Sequence, residues 1–324
     1  MPKVTIGIAA YNVQNYLVQC VSSALEQTFS DIEILIVDDG STDETGYIAD
    51  QFANQDPRVR VIHKENEGLA VVRRTIIDNM ASDYVYWLDG DDYLKKTAIE
   101  TVWNIHERSG ADIVKTILIP EEKKYVGGYD RRAYMRILLP DYIKSNVIGA
   151  LFRKVLYNGV HHHKGMINDD YGTFPSLMDN ANMIVLDDSD TYVYRRVRPG
   201  SITYNGRNSY KGHFPRAILR CERYEKYHDE FPEECDIILK QFTDYACMTC
   251  LFAEDNDDTI PVRVMMERHE RTIMMSQEIS AYKKWLLRKI ISNNAPMSIL
   301  RKIHKASGLR RLKKERKMCQ LPTT

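Results

Sequence analysis

The chain has 324 residues, 44% of them hydrophobic and 28% charged, with 45 basic side chains against 45 acidic ones. This is ordinary globular usage, and it excludes intrinsic disorder, collagen and a coiled coil as descriptions of the whole chain. A chain this long can build one large core or two modest ones without disulfide staples.

Residues Val4–Ala10 form a short apolar run rich in β-branched side chains, which predicts a buried strand. The apolar stretch is too brief for a signal peptide and a polar segment follows at once, so export is not expected and a reducing cytosol is the default compartment. Leu17, Val21, Leu25 and Phe29 recur every four residues and predict one stripe of a helix over 15–29. "EILIV" at 33–37 is strand again, halted by "DDGSTD", which is all turn and cap chemistry. A helix over 43–54, a strand at Arg60–His63, a helix over 68–80 and a strand at Tyr84–Leu88 come next. A helix over 94–109 and a strand at Asp112–Ile119 complete the alternation, which means βαβ units and a mostly parallel sheet. Residues 120–145 read as polar loop, and from about 210 the pattern is helical to the end. The expected division is a first domain over 1–205 and a helical C-terminal region over 206–324.

No apolar run approaches the roughly 18 residues of a membrane span. The six cysteines have no regular spacing, and the Cys247/Cys250 pair lies in a helical stretch with no second pair nearby, so it is assigned to packing. His161–His163 cannot all reach one ion if extended, because successive residues alternate faces. One of them, His163, is a candidate for the acceptor side of a site.

Open parallel sheets bind ligands beyond the carboxyl ends of their strands. Three such ends stand out: Ala9–Asn12, Asp38–Gly40 and Asp89–Asp92. In "LDGDD", Asp89 and Asp91 flank a glycine. Carboxylates this close repel one another and suit a divalent cation, with Mg2+ and Mn2+ the hard ions that take carboxylate together with phosphate oxygens. The bland alternatives are a solvated acidic turn or a helix cap by Asp92.

The stretch "VTIGIAAYNVQNYLVQCVSSALEQTFSDIEILIVDDGSTDET", continued by "VIHKENEGLAVVRRTIIDNMASDYVYWLDGDDYL", "NDDYGTF" and "YRRVRPGSIT", resembles the inverting family 2 glycosyltransferases of GT-A fold across the first 205 residues. The resemblance implies an α/β domain with nucleotide contacts at Ala9 and Tyr11, and Asp39 reading the N3–H of a uracil or thymine ring, which favours a UDP or dTDP sugar; members that use GDP sugars share the same Asp pair, so the base stays open. Asp89 is implied at the nucleotide and, with Asp91, at the metal; Arg73 is implied at the diphosphate. Asp170, with Asp169 beside it, stands where the family has its catalytic base, and either acid of the pair could hold the role. The family arginine is followed by Asn, whereas here Arg74 follows Arg73, and both cannot meet one phosphate from adjacent helix positions. Among the arginines of "YRRVRPGSIT", Arg196 and Arg198 are candidates for the diphosphate or acceptor. The processive motif QxxRW is absent, which favours transfer of a single sugar.

Between Lys283 and Lys317 stand 13 basic residues and one acid, a net +12, so the remainder carries −12. Trp, Leu and Ile alternate with those charges, as in an interfacial helix on anionic lipid. The alternative is a solvated helical face; nucleic acid is not expected, because no stacking aromatics interleave the tail. Together these residues predict a metal-dependent transferase that moves a sugar from a nucleotide-sugar donor to a glycan or lipid-linked acceptor, cytoplasmic or peripheral on the inner membrane face. A catalytically silent glycan-binding protein on the same fold is the competing expectation.

Overall fold

The computed structural model describes residues 1–162, 169–195, 212–253, 259–293 and 297–318, with the side chains of 169 and 308–318 left aside. The chain divides into two compact units, Met1–Tyr204 and Asn205–Thr324.

In the first unit, β1 (Val4–Ala10), β2 (Ile32–Asp38), β3 (Val59–His63) and β4 (Tyr84–Asp89) alternate with α1 (Gln14–Leu25), α2 (Thr45–Gln55) and α3 (Leu69–Asn79). A short β5 (Tyr93–Leu94) precedes α4 (Ala98–Ser109) and β6 (Ile113–Thr116). Then come β7 (Gly127–Asp130), α5 (Arg131–Leu138), β8 (Ala150–Arg153), α6 (Asp169–Asp179), β9 (Met183–Asp187) and β10 (Tyr192–Val193). Eight strands form one sheet in the order β3-β2-β1-β4-β8-β6-β9-β7, and β10 pairs with β5 separately. The neighbours β3/β2, β2/β1, β1/β4 and β6/β9 are parallel, while β8 and β7 run against their partners. The architecture is therefore an α/β layer fold of mostly parallel sheet followed by helices.

Alternation along the strands decides which helices cover which face. Val4, Ile6, Ile8, Ile34 and Ile36 pack with Leu17 and Val21 of α1, Ala49 of α2 and Val102 of α4 in one apolar core. The opposite face carries α3 and α6. There Arg73 lies over the Trp87 ring, and Phe152 meets Phe174 edge-on.

Two expectations need correction. The helix predicted to reach 29 ends at Leu25, and Phe29 instead packs from the following turn onto Trp103, ring centroids 5.5 Å apart. The span 120–145 is not loop: it holds a 3₁₀ turn at Pro120–Tyr125, then β7 and α5. Asp130 caps α5 by accepting from the Ala133 amide at 2.7 Å, and Tyr134, Met135 and Leu138 are its buried face. Only about two turns long, with Asp130 at its cap and Arg131, Arg132 and Arg136 within it, this helix is too short to declare its period.

The second unit is helical: α7 (His213–Tyr227), α8 (Pro232–Phe252), α9 (Thr259–Arg268), α10 (Glu270–Met275), α11 (Ala281–Ile291) and α12 (Met297–Met318). Cys247 and Cys250 are both buried on α8, and burial pushes their thiols up to about 12 and about 11, as packing residues rather than reactive ones.

One buried cation ties the connection before β8 to the sheet. Lys115 on β6 is 1% exposed, and its ammonium donates to the carbonyls of Lys144 at 2.6 Å and Asn146 at 2.9 Å, and to Asn146 Oδ1. Lys115→Met keeps the volume and leaves those acceptors without their donor. The expected loss is about 1–3 kcal/mol, read as a lower urea midpoint with unchanged slope; an unchanged midpoint contradicts the role.

Candidate active site

Parallel register brings the three acidic or polar strand ends side by side. Ala10 of β1 stands opposite Asp38 of β2, and Ala9 stands opposite Asp89 of β4. Beyond β1 the chain continues through Tyr11, which is exposed, to Asn12, whose φ of 50° is left-handed. Asparagine tolerates that region better than other side-chain-bearing residues. Its Oδ1 accepts from the Thr42 amide at 2.8 Å and its own amide donates to Ser41 Oγ at 3.0 Å, so the loops after β1 and β2 are stitched together.

Asp38 and Asp39 are both buried but do different work. Asp38 accepts from the Ser41 amide at 3.1 Å and sits 3.0 Å from His63 Nδ1. Asp39 Oδ1 accepts from Lys64 Nζ and from the Glu67 amide, each at 3.0 Å, and Oδ2 accepts from the Gly68 amide at 2.8 Å. The carboxylate thus fastens the segment that opens α3 to the end of β2, where the amide dipoles of a helix start favour an anion.

The turn after β4 is compact. The Asp92 amide donates to the Asp89 carbonyl at 2.9 Å and the Gly90 amide to the Ala9 carbonyl at 3.0 Å. A Cβ on Gly90 would lie 2.8 Å from that same carbonyl oxygen, so backbone contact with β1 demands glycine here. Carboxylate oxygens of Asp89, Asp91 and Asp92 all lie within 4.8 Å of one another. Asp92 is fully buried and accepts from Tyr192 Oη at 2.7 Å and the Arg195 amide at 2.8 Å. Burial, with Asp89 and Asp91 adjoining, pushes its carboxyl up to about 7. It does not cap a helix: α4 starts only after Thr97.

Arg73 joins the turn to the other candidate acid. It lies on the buried face of α3 and is 4% exposed. One guanidinium nitrogen bonds Asp170 Oδ1 and another lies 3.8 Å from Asp89 Oδ1. The first turn of α6 therefore delivers Asp170 to the same guanidinium that Asp89 approaches. Arg74 points away and pairs on the exposed side with Asp78, one helical turn on, at 2.8 Å. Arg195 reaches back instead: it donates to the Asp91 carbonyl at 2.9 Å and to Gln19, with the Tyr16 and Tyr93 rings 5.0 and 5.1 Å away.

The structure thus brings Ala9, Asp39, Arg73, Asp89, Asp91 and Asp170 to one edge of the sheet. His163, Arg196 and Arg198 lie outside the described residues, as does the side chain of Asp169. Of the other histidines in the run, His161 is exposed and His162 stacks on Tyr157 at 6.3 Å. Sequence reasoning missed Lys64, Tyr192 and the structural use of Arg195. Nothing about Lys64 in "HKENEG" or Tyr192 in "TYVY" marks either as a partner of an aspartate.

The donor set fits a hard divalent cation. Asp89 and Asp91 offer partly exposed carboxylates on one turn, and magnesium or manganese takes one or two carboxylates and completes its shell with phosphate and water.

Known proteins share the family sequence pattern and the fold. A sequence profile described as "Glycosyl transferase family 2" matches residues 5–164. The glycosyltransferase GlyG of Streptococcus pneumoniae serotype 4 is 34% identical over 225 residues, which is 61% of this chain and 72% of GlyG. In structure, Staphylococcus aureus TarS 1–349 in complex with UDP-GlcNAc superposes with a TM-score of 0.66 at 16% identity, over 94% of this chain and 92% of TarS 1–349. The mannosyltransferase PcManGT from Pyrobaculum calidifontis, in complex with GDP-Man and Mn2+, gives a TM-score of 0.52 at 14% identity, over 93% of this chain and 87% of that one.

Proposed function

The chain belongs to glycosyltransferase family 2, and from that premise we propose that it transfers one sugar, with inversion, from a nucleotide-diphosphate donor to a hydroxyl of a glycan or lipid-linked acceptor in surface-glycan synthesis. One observation carries the reading: Arg73 touches Asp170 while lying 3.8 Å from Asp89, so the candidate base and the candidate cation turn meet at one guanidinium. The family membership and this assembled set of acids weigh against a silent glycan-binding protein.

In the proposed reaction the acceptor oxygen attacks the anomeric carbon as the bond to the diphosphate oxygen breaks. The proton of the acceptor hydroxyl passes to Asp170, a carboxylate at the first turn of α6. A single displacement inverts the anomeric centre and needs no covalent sugar–enzyme intermediate. Asp89 and Asp91 would hold Mn2+ or Mg2+, which when bound neutralises charge gathering on the leaving diphosphate. Arg73, already poised between the two acids, would face that diphosphate. Ala9 and Tyr11 would line the nucleotide. UDP is the favoured donor base: a carboxylate oxygen accepts two bonds, so Asp39 Oδ2 can take a uracil imide N–H beside the Gly68 amide. The UDP-GlcNAc complex of TarS supports the same choice, and the Mn2+ complex of PcManGT supports the cation.

The acceptor side is proposed to lie at an anionic membrane. No helix among the described residues is long and apolar enough to cross a bilayer. Instead α11 and α12 leave Trp285, Ile299 and Ile303 more than a third exposed, beside exposed Arg288, Lys302 and Lys305. Tyr282 links the two helices, with its ring stacked on Trp285 at 6.0 Å and its hydroxyl 3.3 Å from His304 Nδ1. Apolar tips among lysines suit the headgroup layer, and each basic residue near such a surface contributes about 1 kcal/mol.

Asp170→Asn should lower stability, because buried Arg73 keeps only Asp89 as an anionic partner, yet the folded variant should still bind donor while its transfer rate falls by about 10²–10⁴-fold. Parent-like turnover would remove Asp170 from the mechanism. For the membrane, Lys302→Glu with Lys305→Glu should cut sedimentation with phosphatidylglycerol vesicles by roughly tenfold or more at low salt, and leave nucleotide binding unchanged. Equal sedimentation of both proteins would refute the surface.

A further inference from the structure

The acids after β4 are held by a piece of chain about 100 residues later. Tyr192 Oη donates to Asp92 Oδ2 at 2.7 Å and accepts from the Asp89 amide at 3.2 Å. The Arg195 amide donates to Asp92 Oδ1 at 2.8 Å. The Arg195 guanidinium then binds the Asp91 carbonyl at 2.9 Å and Gln19 of α1, while the rings of Tyr16 and Tyr93 lie within about 5 Å. Pairing of Tyr192 with Leu94 and Val193 with Tyr93 fixes the register of this segment against the turn. The segment ties three residues of the turn, Asp89 by its amide, Asp91 by its carbonyl and Asp92 by both carboxylate oxygens, while Gly90 is tied to Ala9 of β1.

The three acids are not equivalent in this arrangement. Asp92 is wholly buried and its two oxygens are taken by protein donors, whereas Asp89 and Asp91 keep partly exposed carboxylates. We infer that Tyr192 and Arg195 are positioning residues for the cation: with Asp92 as their anchor, they set the spacing and direction of the Asp89 and Asp91 carboxylates, and Asp92 itself is not a ligand. The reason is energetic. Two like charges on one short turn would otherwise splay apart, and a site that must gather them again on binding loses affinity to that reorganisation. A strut that holds the backbone on both sides of Gly90 removes the cost beforehand. The inference rests on the reading of Asp89 and Asp91 as the cation's carboxylates.

The test is Mn2+ binding without turnover, followed by the loss of the free-ion electron paramagnetic resonance signal on titration into the full-length protein. Removing groups that orient metal ligands typically weakens binding by about 10–100-fold, and Tyr192→Phe is expected to fall in that range. The melting temperature should fall somewhat, because Asp92 loses the donor to one buried oxygen, but metal-free binding of UDP by the folded variant should barely move, so the loss of affinity is specific to the cation. Arg195→Lys keeps the backbone amide on Asp92 but loses the planar fork to Asp91 and Gln19, so it should weaken Mn2+ in the same direction; it also serves if Tyr192→Phe fails to fold. Parent-like Mn2+ affinity in the folded variants overturns the positioning role and leaves the cation reading standing. A parent protein that takes up no Mn2+ overturns the cation reading, and the inference with it.

Discussion

A guanidinium that is 4% exposed cannot remain without anionic partners, and the rest of this site is arranged around that constraint. Arg73 stands on the inner face of α3, against Trp87 of β4, and satisfies its charge with Asp170 from α6 and with Asp89 beyond β4. Three elements far apart in the chain therefore converge on one cation. A phosphate-bearing ligand offers the same guanidinium an alternative anion, and the two acids would then be free for a metal and a proton.

The opposite problem, too much negative charge, arises one turn away. Asp89, Asp91 and Asp92 crowd within 4.8 Å. The fold relieves this by separating their environments. Asp92 goes inside, where its carboxyl is pushed up to about 7 and hydrogen-bonded on both oxygens, and the other two face outward. Asp39 shows the same logic at the neighbouring strand end, where an ammonium and two amides gather round one carboxylate. At this edge of the sheet the buried acids, Asp39 and Asp92, are held by protein donors, while Asp89 and Asp91 are partly exposed.

Much of this was legible in the sequence, and for identifiable reasons. Of the first four strands, β2 and β4 are apolar runs ended by acids, and the parallel register of β1 with both puts those ends in line, so Asp39, Asp89 and Asp91 could be singled out before any coordinates. The path of α3 was also legible, and the family resemblance picked Arg73 over Arg74, although the apolar pattern alone could not, since the buried face of that helix includes an arginine. What could not be read lies in long-range pairing. Tyr192 and Arg195 act on Asp89, Asp91 and Asp92 across 100 residues, through a two-residue strand pair too short to carry a periodic signal. The helix at Arg131–Leu138 was hidden for a related reason, since its apolar face spans only Tyr134, Met135 and Leu138.

The account stands or falls on a single cleft shared by the turn acids and Asp170. A crystal grown with UDP and Mn2+, with anomalous scattering recorded at the manganese edge, tests this most directly. The account predicts a manganese peak on the carboxylates of Asp89 and Asp91, with the diphosphate between it and the first turn of α6. Manganese at any other group, or a diphosphate bound where Asp170 cannot face it, would contradict it.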